Sequence, residues 1–132
     1  MVIFPLFVGG TMRNYRKVII NGNKYPIRCT VRVLGEIQEF YGKIKQFEYD
    51  IRGLDIVEME DGKKILRKAN EPSMNAVSKV LPLMINEGIL LSGSELEFVT
   101  EEEVAAGLQM NPYIVANMMA DEFVECFAQK KQ

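Results

Sequence analysis

Histidine does not occur in the 132 residues of this chain. Its absence removes the usual general base near neutral pH, the commonest metal ligand and every nucleophile arrangement that depends on an imidazole. Cysteine occurs twice, as Cys29 and Cys126, which matches neither a zinc spacing nor the dense framework of a small secreted domain. Both are read as reduced, buried thiols of a cytoplasmic protein. No apolar run approaches the ~20 residues that cross a bilayer. The first one, Val2-Ile-Phe-Pro-Leu-Phe-Val8, is short and lacks the preceding basic residue of a secretory signal. Also missing are a phosphate loop, a dinucleotide fingerprint, a nucleophile elbow and a calcium loop. The expectation is a protein that is not an enzyme, holds no cofactor or metal and does not enter a membrane.

Acidic residues are missing from one end and basic residues from the other. Residues 1–35 hold Arg13, Arg16, Lys17, Lys24, Arg28 and Arg32 with no Asp or Glu, whereas residues 80–129 hold nine acidic residues and no Lys or Arg. The net charge is nonetheless only −2. Three arrangements accommodate such poles: the two ends meet within one chain, one copy's basic surface docks on another's acidic surface in a head-to-tail array, or the basic end meets nucleic acid. In the last case Tyr15 and Tyr25 would stack between the cations of the N-terminal hairpin and first helix. The pI of 5.3 weighs against that alternative.

What is present is enough apolar material, 48% of residues, for one domain, which at this length buries about two-thirds of its unfolded surface. The stretch Lys24–Gly42 organises it. Tyr15–Ile20, Asn21-Gly22 and Asn23–Ile27 spell a β-hairpin around a type I′ turn, with Pro26 on an exposed edge or at the strand's exit. Thr30 is placed to cap a helix whose buried stripe is Val33, Leu34, Ile37, Phe40 and Tyr41, and Gly42 stops it. A second helix carries Ile44, Phe47, Ile51 and Leu54 to a break at Gly53, with Glu48 paired to Arg52. Residues 55–68 form a second hairpin if Asp61-Gly62 is a two-residue turn, setting Glu60 opposite Lys63 and Val57 opposite Leu66; the competing reading is a polar excursion between helices.

From Glu71-Pro72 a central helix is expected, its stripe being Met74, Val77, Leu81, Met84, Ile85 and Gly88. Pro82 either kinks it or marks where two helices meet. Thr100-Glu101-Glu102-Glu103 is a capping box for a helix running to about Gln109, a better use of the acidic cluster than metal binding. Asn111-Pro112 opens the last helix. There Ala116, Met119, Ala120, Phe123, Cys126 and Phe127 face inward and Asp121, Glu122 and Glu125 lie away. The methionines, among them Met74, Met84 and Met110, are read first as core filler, though such side chains also suit surfaces that accept varied apolar partners. The fold class is mainly α with a small β component: an N-terminal hairpin and a bundle of about five helices over residues 12–129. Residues 1–11 are read as an extension ahead of an ordered pattern starting near Met12, and 130–132 as a tail. Tyr113, Ile114, Val115 and Met118 make the last helix apolar all round at its start, so Ile114, Val115 and Met118 are the expected partner-binding surface. Arg13, Arg16, Arg28 and Arg32 are the expected seam between subunits.

The hairpin Tyr15–Arg28, the helix carrying Glu36-Ile37-Gln38-Glu39-Phe40-Tyr41-Gly42, the long helix before Glu87-Gly88 and the helix opening at Thr100–Glu103 together resemble, over residues 12–129, the tail assembly chaperones of long-tailed bacteriophages and prophages of Gram-positive bacteria. The resemblance implies a helical, non-enzymatic protein of the bacterial host cytoplasm that coats the tape-measure protein and keeps it soluble until tail-tube subunits polymerise around it. It also implies self-association into a spiral or ring. A longer product of a programmed ribosomal slip near the gene's end would recruit the tube protein, and Lys130-Lys131 would permit the adenine run that slip needs. Residues 1–11 and the excursion at Asp61-Gly62 match no feature of that family.

Overall fold

A computed structural model of the chain describes residues 15–68 and 71–128. Along them run β1 (Arg16–Ile20), β2 (Asn23–Ile27), α1 (Val31–Tyr41), α2 (Ile44–Arg52), β3 (Leu54–Glu58), β4 (Lys64–Lys68), α3 (Met74–Ser92), α4 (Glu101–Gly107) and α5 (Pro112–Phe127). The fold is mainly α with a small β component, five helices and two antiparallel two-stranded sheets among the described residues. The expectations for residues 1–11, for Arg13 and for the tail at 130–132 lie outside the described residues.

Local chemistry sets the first half. Asn21 (φ 49°) and Gly22 (φ 84°) take the two left-handed positions of a type I′ turn, whose twist matches that of the flanking strands, so Val18 pairs with Tyr25 and Lys17 with Pro26. The turn is itself held: Asn21 N–H donates to Gly107 O at 2.9 Å, Gln109 N–H donates to Ile19 O at 2.8 Å, and Gly22 N–H donates to the Gln109 side chain at 2.6 Å. These bonds stop α4 at Gly107, two residues short of the expected Gln109. Thr30 caps α1 as anticipated, its hydroxyl accepting from Val33 N–H at 3.3 Å, and Gly42 and Gly53, both at positive φ, end α1 and α2.

The central helix is α3, one unbroken helix with Pro82 inside it rather than two helices meeting there. An interior proline costs a helix about 3 kcal/mol; here Pro82 is buried among Val80, Leu81, Met84 and Ile85, whose burial offsets it. The helix starts at Met74, two residues after Pro72, with Ser73 accepting from Ala76 N–H at 3.2 Å. Against α3 lies β2. Pro26 is on a sheet edge as expected, but buried beneath α3 rather than exposed, and the approach is so close that a Cβ on Gly88 would stand 2.2 Å from Pro26 O. Packing on this layer are α1, α2, α4 and α5. An aromatic file, Tyr41–Phe47–Phe123–Phe127, runs between α1, α2 and α5 with ring centroids 5.9, 5.3 and 5.1 Å apart.

Three expectations are corrected. Phe40 is exposed; its ring lies edge-on to Tyr41 and under the Lys79 ammonium, because the last turn of α1 overruns the core. Met74 and Phe127, the outermost turns of their helices, are exposed for the same reason. The second hairpin forms, but in a different register: Val57 pairs with Ile65 and Glu58 with Lys64. Of the two loop residues only Gly62 has positive φ, so the type I′ geometry is unmet. The chain instead makes a three-residue loop, with Gly62 N–H donating to Met59 O at 2.9 Å and Met59 N–H donating to Lys63 O at 2.7 Å.

The two helical glycines make a matched test. Gly35 of α1 is exposed with open space where a Cβ would go, so Gly35→Ala should stabilise by roughly 0.5–1 kcal/mol. Gly88→Ala forces backbone from backbone and should destabilise by about 2–3 kcal/mol. Urea unfolding of both variants measures the difference; equal midpoints would refute the close α3–β2 approach.

Candidate functional site

The charges that looked like a seam between molecules are joined inside one. Glu122 of α5, 2% exposed, accepts from Arg16 Nη1 at 2.5 Å and from Cys29 N–H at 3.2 Å, with Arg28 Nε at 3.4 Å. Arg16 also reaches Glu125 at 2.6 Å, and hydrogen bonding to Glu125 and then Glu122 raises its pKa further above the ordinary arginine value, against the opposing effect of burial. The Arg28 guanidinium stacks 4.1 Å over the Tyr15 ring. Glu87 of α3, 4% exposed, accepts from Arg32 at 3.0 and 3.1 Å and from the Thr30 hydroxyl at 2.7 Å. Residues 28–32, the joint between β2 and α1, are thereby tied to α3 through one carboxylate and to α5 through the other.

Arg16, Arg28 and Arg32 each pair with a carboxylate of the same chain, as in the arrangement in which the two poles meet within one chain, while the Arg32 side chain stays 63% exposed. Glu122 had been expected to lie away from the core. The signal that places it inside was available: Val115, Met119, Glu122 and Cys126 share one helical stripe, and a carboxylate in such a stripe needs a cation, which Arg16 supplies. Of the expected partner-binding residues, Val115 is fully buried, Met118 packs against the core, and Ile114 alone is exposed, at 52%. The apolar start of α5 is divided, Val115 lying inside, Met118 partly covered, and Tyr113 and Ile114 exposed.

The larger apolar concavity lies at the other end of α5. Ile44, Lys45, Glu48 and Arg52 of α2 and Phe123, Val124 and Phe127 of α5 line a groove of about 530 Å³. Phe127 and Val124 are exposed on its wall. Glu48 bridges the rim cations, 3.4 Å from Lys45 and 3.3 Å from Arg52. Sequence periodicity missed the groove because it assigned Phe123 and Phe127 to one buried face, and nothing local shows how far α2 covers that face. Further apolar side chains stand exposed on the second hairpin (Ile56, Ile65, Leu66) and around the α3 C-terminus (Leu90, Leu91, Phe98). Among the described residues no group of three or more Cys, Asp or Glu is placed to hold a metal ion, and no helix is long and apolar enough to cross a membrane. No protein-family model matches the chain, and no curated protein or solved structure is similar to it.

Taking the cation from a buried carboxylate typically costs about 3–5 kcal/mol, and Glu122 would keep Arg28 at 3.4 Å and the Cys29 N–H at 3.2 Å, which sets its loss at the lower end. Arg16→Met should therefore lower stability by about 3 kcal/mol, while Lys17→Met, on the exposed side of the same strand, should stay within roughly 0.5 kcal/mol of the parent. Guanidinium denaturation of the two variants reads the contrast, and similar midpoints would show that Glu122 does not depend on Arg16.

Proposed function

We propose that this chain is a non-enzymatic binding protein that shelters apolar helical segments of a client. More narrowly, we read it as a tail assembly chaperone of a long-tailed phage or prophage. In that reading it acts in the bacterial cytoplasm, coats the tape-measure protein as a multimer, and meets the tail-tube protein through a frameshifted longer form. The observation that carries the reading is the groove between α2 and α5: an apolar floor of Ile44, Phe123, Val124 and Phe127 with Lys45, Glu48 and Arg52 at its rim. Its volume falls in the range of ligand pockets, and an apolar trough with a charged rim is how amphipathic helices are commonly received. Each such contact is weak. Repetition along a long client by linked copies multiplies it.

Self-association needs charges other than the internal arginines. The exposed second hairpin carries Lys63, Lys64, Arg67 and Lys68 beside Ile65 and Leu66, and the segment after α3 carries Glu95, Glu97 and Glu102 near Leu90, Leu91 and Phe98. The hairpin's cations lie on the β4 side, while β3 and the loop carry Asp55, Glu58, Glu60 and Asp61, so it is the β4 side that is opposite in charge to the acidic segment and supports a head-to-tail contact.

Two measurements test the two halves. In co-expression with a long amphipathic helical segment, the double variant Val124→Asp/Phe127→Asp should reduce recovery of soluble client about tenfold, while its own melting temperature changes by a few degrees at most; undiminished recovery refutes the groove as client site. In low-salt light scattering, Lys64→Glu/Arg67→Glu should lower the assembly mass, and an unchanged mass refutes the hairpin contact. A very long helical reading frame immediately downstream of the gene is the genomic arrangement this function requires.

A further inference from the structure

The two cysteines come from opposite ends of the described chain, yet the fold brings them together. Cys29 sits between the end of β2 and the Thr30 cap, and Cys126 in the last turn of α5. Neither is in a disulfide. Both line one open cleft of about 260 Å³ with Arg28, Val31, Glu122 and Glu125. Cys29 is buried and Cys126 half-buried, so an oxidant entering the cleft meets Cys126 first, with Cys29 behind it. The joint bearing Cys29 is held by the Glu122 and Glu87 contacts, whereas Cys126 lies where α5 ends, at the Ala128 cap, and a terminal turn can shift to bring sulfur to bonding distance.

We propose that Cys29 and Cys126 are a peroxide-oxidisable pair, Cys126 being attacked first and Cys29 resolving it, so that a disulfide pins the end of α5 to the β2–α1 joint. In the first step Cys126 Sγ, as thiolate, attacks one peroxide oxygen. The O–O bond breaks, the sulfur becomes a sulfenic acid and the departing oxygen leaves as water. Cys29 Sγ then attacks that sulfur, the S–O bond breaks, and the hydroxyl leaves with the Cys29 proton as a second water. The dithiol has lost two electrons and two protons, and one hydrogen peroxide has been reduced to two waters.

Burial, reinforced by the neighbouring thiol and by Glu122 and Glu87, pushes Cys29 above its ordinary value, and burial pushes Cys126 up too. Since the thiolate is the nucleophile, closure is slow at neutral pH and quickens as pH rises. A cross-link spanning most of the chain removes much of the freedom of the unfolded state. The inference goes beyond the proposed function and stands or falls separately from it.

The test is treatment of the full chain with hydrogen peroxide across a pH series, followed by intact mass, thiol titration in denaturant and melting. The expected product is a monomeric species lighter by two hydrogens, with no titratable thiol. Its melting temperature should be raised by roughly 10 °C, reversibly with dithiothreitol. Cys126→Ala and Cys29→Ala should each abolish that product. Independent oxidation of the two sulfurs to sulfinic or sulfonic acids, cross-linked dimers alone, or two thiols surviving at alkaline pH would overturn the proposal. So would closure that leaves the melting temperature unchanged or lower.

Discussion

Two buried carboxylates hold the architecture at its least regular point. Where β2 ends and α1 begins, the chain cannot satisfy its polar groups through either ladder or helix, and buried backbone donors left alone are costly. Glu122 takes the Cys29 N–H and the guanidinium groups on either side; Glu87 takes the Thr30 hydroxyl and Arg32. Thr30 faces both ways, donating to Glu87 while accepting from the first turn of α1. The hairpin, α1, α3 and α5 are therefore located by one cluster, and the apolar layers can pack because their connection is already fixed. Buried ion pairs are weak contributors to net stability but severe when half removed, so the cluster acts on specificity of arrangement more than on overall stability.

The same cluster engages Arg16 and Arg28 of the N-terminal hairpin region, while Lys17 and Lys24 stay exposed on it. The charge separation along the sequence is partly met within the chain, through Glu87, Glu122 and Glu125. The surface also groups apolar side chains: in the α2–α5 groove, on the second hairpin and beyond α3. Single exposed apolar side chains are ordinary, but grouped ones point to contact with another molecule. That grouping is the physical link between this fold and the proposed role in binding other chains.

Features governed by residues within about four positions of each other were legible in the sequence. Asn21-Gly22, the Thr30 and Thr100 caps, Gly42, Gly53 and Asn111-Pro112 all sit where their local chemistry put them. Features decided by distant partners were not. Glu122 is buried because Arg16 reaches it across 106 positions and Glu87 because Arg32 does so across 55, and no local pattern announces either cation. Phe40 and Phe127 have the periodicity of core residues, but whether a stripe is covered depends on where the neighbouring helix stops. In the second hairpin Asp61-Gly62 did mark a turn; its length depended on Asp61 keeping negative φ, which shifted every cross-strand pair by one. Along the start of α5 the same holds: which of its apolar residues face inward, Val115 and not Tyr113 or Ile114, is decided by the elements packed against it.

The loop Glu60-Asp61-Gly62 closes the second hairpin away from the helical layers, with Asp61 accepting from Lys63 N–H at 3.0 Å and every residue from Glu58 to Lys68 exposed. Exposed loop tips of this kind tolerate insertion because no buried backbone bond is broken. A peptide epitope or a fluorophore attachment site placed there would report on the molecule in cells while leaving the carboxylate cluster, the aromatic file and the groove undisturbed.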